Sequence, residues 1–157
     1  MLRQTYYCLF LILKTKQTCY YNKLDRYPIF YDTVMQGLED RSLRINCLNI
    51  VDHLSSTSFT KIINQLYQRD IISVLHRIAC SPEMDKSIGV ICIILNIYHN
   101  LIISEASALR FIAHPAMESV THAIANHEKA EVRDSSFDVL RVLFSYLPDE
   151  QATWLFK

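Results

Sequence analysis

The chain has 157 residues, half of them hydrophobic and one-fifth charged, which fits a folded domain with a real core and not a disordered segment. Its 16 Lys+Arg balance 16 Asp+Glu, so the basic footprint of a nucleic-acid binder is absent as a bulk property. With only 2 glycines, Gly-rich phosphate loops, tight β-hairpins and a doubly wound sheet are disfavoured, because each needs positive φ.

Residues 1–24 read as an N-terminal apolar helix. Tyr6 to Leu13 is strongly apolar, with Arg3 before it and Lys14 and Lys16 after it. No small-x-small cleavage site follows, and the run is too short to span a bilayer. A signal anchor is the alternative to a buried helix there. Residues 25–157 read as one repeat domain. Pro28 breaks the chain after Tyr27. Ile29 to Leu38 is a short helix with Ile29, Phe30, Val34 and Leu38 near one face, and Gly37 to Asp40 is the turn. Ser42 to Leu54 carries a broad apolar face through Leu43, Ile45, Cys47, Leu48, Ile50, Val51 and Leu54. Ser55 to Ser58 is a capping cluster, with Ser58 as N-cap of the next helix. That helix shows the stripe Ile62, Ile63, Leu66 and Tyr67.

The stretch from Asp70 to Asn100 organises the rest. It gives an apolar helix, a turn centred on Pro82, and a longer helix that is apolar almost all round. Such a helix must be covered on several sides. Asn96, His99 and Asn100 interrupt its apolar run, so it reads as buried and not membrane-spanning. Ser104 caps a short helix, and Pro115 suits a first helical position. Met117 to Asn126 is amphipathic. His127 to Ala130 is a polar turn, and Glu131 to Leu147 is a long helix that Pro148 stops. The tail packs Trp154 and Phe156.

Sliding the sequence by roughly 46 residues puts Val74, Ile78, Ile91, Ile94, Ile97 and Tyr98 on Val120, Ile124, Phe137, Leu140, Leu143 and Phe144. One step back aligns Ile45, Leu48 and Val51 with Ile91, Ile94 and Ile97. The fold expected is therefore all-α, an armadillo/HEAT-type α-solenoid of about three repeats near 28–58, 59–103 and 104–147.

Chemistry is sparse. The 5 cysteines are odd in number, form no CxxC, and read as buried hydrophobes in a reducing compartment, cytoplasmic and possibly also nuclear. None of the 6 histidines forms HExxH or pairs with cysteine at zinc spacing. No catalytic, cofactor-binding or metal residue is assigned, and the chain is expected not to be an enzyme. What remains is recognition of a protein, with no nucleic acid and no membrane. In a solenoid the last helix of each unit lines the concave face. That points to Asn49 and His53, Asn96 and Asn100, and Arg141 and Ser145, each pair one turn apart.

Three stretches carry a more specific likeness: Arg26-Tyr27-Pro28-Ile29-Phe30 with Val34; Leu43 to Leu48; and His127 to Ala130 with Arg133-Asp134 and Phe137 to Leu143. Over residues 25–147 the chain resembles the C-terminal part of the proteasome non-ATPase regulatory subunit 5 family. The resemblance implies an armadillo/HEAT solenoid that chaperones assembly of the base of the proteasome regulatory particle. It further implies binding to the C-terminal domain of an ATPase-ring subunit, protease regulatory subunit 7. The alternatives are a generic armadillo/HEAT adaptor with another protein partner, or a truncated paralogue that does not bind.

Overall fold

A computed structural model of the chain describes residues 6, 24, 26–57, 59–81 and 87–147. The body of the N-terminal helix, the Ser58 cap, the turn at Pro82 and the tail with Trp154 and Phe156 lie outside the described residues. Among the described residues every regular element is α-helical, and no helix is long and apolar enough to cross a membrane. The 8 helices are α1 (Pro28–Glu39), α2 (Arg44–Ser55), α3 (Thr60–Gln68), α4 (Ile71–Ala79), α5 (Ile88–Leu101), α6 (Glu105–Ile112), α7 (Ala116–Asn126) and α8 (Ala130–Tyr146). The chain divides into two compact units, Met1–Val74 and Leu75–Lys157, with the boundary inside α4.

In the first unit α1 packs on α2, and α3 packs on both. Tyr31, Val34, Gly37 and Leu38 form the buried face of α1. Gly37 and Leu38 are thus helical, not part of the expected turn. Leu38 is fully buried, and a Cβ on Gly37 would collide with Cys47 Sγ of α2. The turn begins at Asp40, whose Oδ1 accepts the Ser42 N–H at 2.8 Å and the Ser42 hydroxyl at 2.7 Å. Those bonds hold the Asp40 carboxyl below its ordinary range. Ile29 and Ile45 are 72% and 54% exposed, against the sequence expectation. Each helix buries one stripe, and these two residues fall on its far side.

Hydroxyl and guanidinium groups close the helix ends where glycine is missing. The last carbonyls of a helix have no partner within it. Ser55, Ser56 and Thr57 donate their hydroxyls to the carbonyls of Asp52, His53 and Leu54 at 2.9, 2.8 and 2.7 Å. This cluster therefore ends α2, where the sequence suggested that it starts α3. Arg44 reaches back over the turn to donate Nε to the Leu38 carbonyl (2.9 Å) and Nη2 to that of Glu39 (3.3 Å). Arg69 ties the end of α3 to α1: Nε meets Asp32 at 2.6 Å, Nη2 meets the Pro28 carbonyl at 3.1 Å, and the guanidinium lies 5.3 Å from the centre of the Tyr31 ring.

In the second unit α8 packs against α5, α6 and α7, and α6 also touches α7. The core draws on Leu75, Ile78, Ile94, Ile97, Phe111, Val120, Val139 and Leu143. Tyr98 sets its ring edge-on to Phe111 at 5.0 Å. Ser104 caps α6 as expected, and its hydroxyl and that of Ser107 bond each other's backbone N–H in a capping box. Pro115 is the N-cap of α7, one position earlier than expected. Arg133 repeats the Arg44 device: its Nη1 takes the carbonyls of His127 (2.6 Å) and Glu128 (3.0 Å), again six and five residues back.

Burial follows the aligned register at some positions only: Leu140 and Phe144 are half-buried where Ile94 and Tyr98 are buried. The aligned residues Val51, Ile97 and Leu143 are each 0% exposed. Ile45 and Phe137, aligned with each other through half-buried Ile91, are 54% and 57% exposed. Ile45 and Phe137, expected to be core, therefore face outward, each within its own unit.

Two outcomes follow from the Cys47 environment. Gly37→Ala is expected to lower stability by about 1–3 kcal/mol despite alanine's better helix propensity, because the clash is with a buried side chain. The same change in a Cys47→Ala background should be neutral or stabilising, and urea unfolding of the four proteins reads the coupling. Burial, with a smaller contribution from Asp40, pushes the Cys47 thiol up from 9.0 to about 12. The folded state then keeps a proton that the unfolded chain releases. The associated stability is present below about pH 9 and is lost as pH rises towards about 12. Urea midpoints should therefore fall between about pH 8 and pH 11, and fall less in Cys47→Ala.

Candidate functional site

The second unit carries two surface depressions. The smaller lies between α5 and α8. It is a notch of about 90 Å³ lined by Leu95, Asn96, His99, Ser135 and Asp138. Helical spacing builds it: Asn96 and His99 are one turn apart on α5, and Ser135 and Asp138 one turn apart on α8. His99 Nδ1 lies 3.3 Å from Asn100 Oδ1. Asp138 accepts a bond from Arg141 Nη2 at 2.7 Å, in an ion pair whose members are 53% and 79% exposed. The notch thus combines a carboxylate, an imidazole, an amide and a hydroxyl beside a guanidinium.

Three of the sequence-predicted residues meet at this notch. Asn96 lines it, Asn100 bonds the imidazole in its wall, and Arg141 holds its carboxylate. Ser145 is exposed one turn beyond Arg141, and its hydroxyl donates to the Val142 carbonyl at 2.7 Å. Asn49 and His53 belong to the first unit, where both are half-buried on α2. The residues that sequence reasoning missed are His99, Ser135 and Asp138. The Asp138–Arg141 spacing was the available signal, since an acid and a base three apart on a helix share a face.

A serine, a histidine and an aspartate on one notch invite comparison with a nucleophilic triad. That arrangement needs the histidine to bridge the other two. Here His99 Nδ1 faces Asn100, and Asp138 is engaged by Arg141. The two contacts leave His99 unbridged to Ser135 and Asp138.

The larger depression is a cleft of about 1030 Å³ with an apolar floor that includes Ile88, Ile91 and Val132. One wall is α7, through Glu118, Ser119, His122, Ala123 and Asn126, continued by His127, Glu128 and Lys129. Cys80, just past the end of α4, also lines the cleft. Its sulfur is 3.8 Å from both ring nitrogens of His76, so neither lone pair is singled out as a base. Tyr98, whose hydroxyl is buried and has no hydrogen-bond partner, is pushed up by burial and then by Cys80. Among the described residues no group of three or more His, Cys, Asp or Glu side chains is arranged to hold a metal ion.

No protein-family model matches the chain, and neither a curated protein nor a solved structure matches it.

Because the Asp138–Arg141 pair is exposed, Asp138→Asn should change folding stability by less than about 1 kcal/mol. A thermal melt that instead shows a loss of several kcal/mol would make Asp138 part of the scaffold, not of the surface.

Proposed function

We propose that the chain is a non-enzymatic binding module of armadillo/HEAT type, with about three stacked repeats, related to the proteasome non-ATPase regulatory subunit 5 family. Its work is assembly chaperoning in the cytoplasm. It holds the C-terminal domain of a proteasome ATPase-ring subunit and keeps that domain from docking too early. The mechanism is steric, needing only a surface and a competing partner.

The observation that supports this reading most is the outward face shared by α5 and α8. Asn96, Arg141 and Ser145 are exposed there, and Asn96 and Arg141 converge on the notch at Asp138. Phe137, more than half exposed on α8, adds an aromatic group of the kind that anchors protein interfaces. The common burial of Val51, Ile97 and Leu143 supports the repeat register behind it. A generic adaptor role has the same surface in its favour, and only the partner separates the two.

The test is retention of this chain on the immobilised C-terminal domain of the ATPase-ring subunit. Retention is expected, with affinity reduced at least about tenfold by Phe137→Asp combined with Asn96→Arg and with unchanged circular dichroism. No retention of the unsubstituted chain would remove the assembly-chaperone assignment and leave the adaptor.

A further inference from the structure

Helix α7, one wall of the larger cleft, is bracketed by two histidines in the same hydrogen-bonding role. His114 Nδ1 accepts the N–H of Ala116, the first residue of α7, at 3.1 Å. His127, the C-cap of α7, uses its Nδ1 to accept the N–H of Lys129 at 3.1 Å, directly before α8 begins at Ala130. In each case the acceptor serves a backbone donor two residues on. This is the bond an Asx-turn makes with an aspartate or asparagine oxygen. Neither α7 nor α8 has a side-chain cap from its N-cap residue, Pro115 or Lys129. The two imidazoles stand in for those caps.

An imidazole nitrogen accepts a hydrogen bond only while it carries no proton. We infer that these two histidines make α7 an acid-releasable wall: protonation of His114 and His127 removes both staples and loosens the cleft. The sign follows from the bond itself. The staples exist only while both Nδ1 atoms are unprotonated, so acid removes them and cannot form them. An imidazolium at His114 opposes the positive end of α7, whereas His127 sits between the negative end of α7 and the positive end of α8.

The surroundings set how the two sites respond. His114 is faced from α4 by His76, ring edge to ring face at 5.7 Å, with Cys80 beside it. A positive charge on one ring of this pair would repel a positive charge on the other. Around His127 the cleft presents Glu118, Glu128, His122, Lys129 and Cys80. Arg133 holds the His127 carbonyl from α8. The two carboxylates attract positive charge there, and Lys129 and Arg133 repel it.

The inference does not depend on which partner the chain binds. It is tested by amide hydrogen exchange on the full chain at pH 7.5 and 5.5, corrected for the intrinsic pH dependence of exchange. Protection over residues 114–130 is expected to fall roughly two- to thirty-fold at the lower pH, the range set by the loss of a helix cap. His114→Asn with His127→Asn keeps an acceptor at the same position without a titrating group, so the fall should vanish. His122→Gln, which alters a third histidine of α7, should leave the fall in place. An equal fall in the double variant, or no fall in the unsubstituted chain, overturns the proposal. If the double variant does not fold, ¹⁵N chemical shifts of the unsubstituted chain decide instead. At pH 7.5 both Nδ1 atoms should be unprotonated, and a proton on either overturns it.

Discussion

The carbonyl at the end of a helix is the problem that this chain has to solve repeatedly. Each helix leaves its last carbonyls without internal partners. The common answer is a glycine in the left-handed conformation just past the end, but neither of the two glycines here does that work. Gly37 lies within α1 and Gly89 within α5, and neither has positive φ. Past α3 the left-handed position is taken by Asp70, with φ 53°, and at other ends the chain reaches back with side chains. Arg44 and Arg133 each span a turn to bond carbonyls six and five residues earlier. Ser55, Ser56, Thr57 and Ser81 fold their hydroxyls onto carbonyls three residues back. Charge-assisted bonds of the arginine kind are the stronger ones, and they also fix where the next helix starts.

That constraint explains why the turns are polar yet rigid. Asp40 accepts two bonds from Ser42 while Arg44 crosses the same turn. His127 accepts from Lys129 while Arg133 takes its carbonyl. In both turns one residue serves the incoming backbone N–H and an arginine serves the outgoing carbonyls. The two turns belong to different compact units. The recurrence of the device is a local counterpart of the repeat seen in the apolar residues.

The notch between α5 and α8 carries the surface on which the proposed binding role rests. A notch with a carboxylate, an amide and an imidazole can select a partner's polar side chain, and an exposed aromatic ring nearby supplies apolar area. Its ion pair is solvent-exposed and so contributes little to folding, which leaves Asp138 and Arg141 available to re-pair. The cleft on α7 differs in kind. Its floor is apolar, its wall carries histidines, and its geometry depends on two bonds that a proton can break.

Much of the helical content was legible in the amino-acid sequence. Apolar residues at helical spacing, proline at the start of α1 and a serine before α6 are local signals, and local hydrogen-bond and steric rules are enough to read them. The register of burial was partly legible, since Val51, Ile97 and Leu143 align and are all fully buried. The limits of each buried stripe were not. Ile29, Ile45 and Phe137 are as apolar as their buried neighbours, and only the position of the packed helix decides which of them turns outward. The same holds for the site. Asn96 and Arg141 could be named as open polar positions, but the meeting of His99, Ser135 and Asp138 joins residues of two helices distant in sequence. Composition and periodicity therefore determined that the chain is helical. Tertiary packing alone decided which faces stay open, because exposure depends on the neighbour across the interface and not on the residue itself.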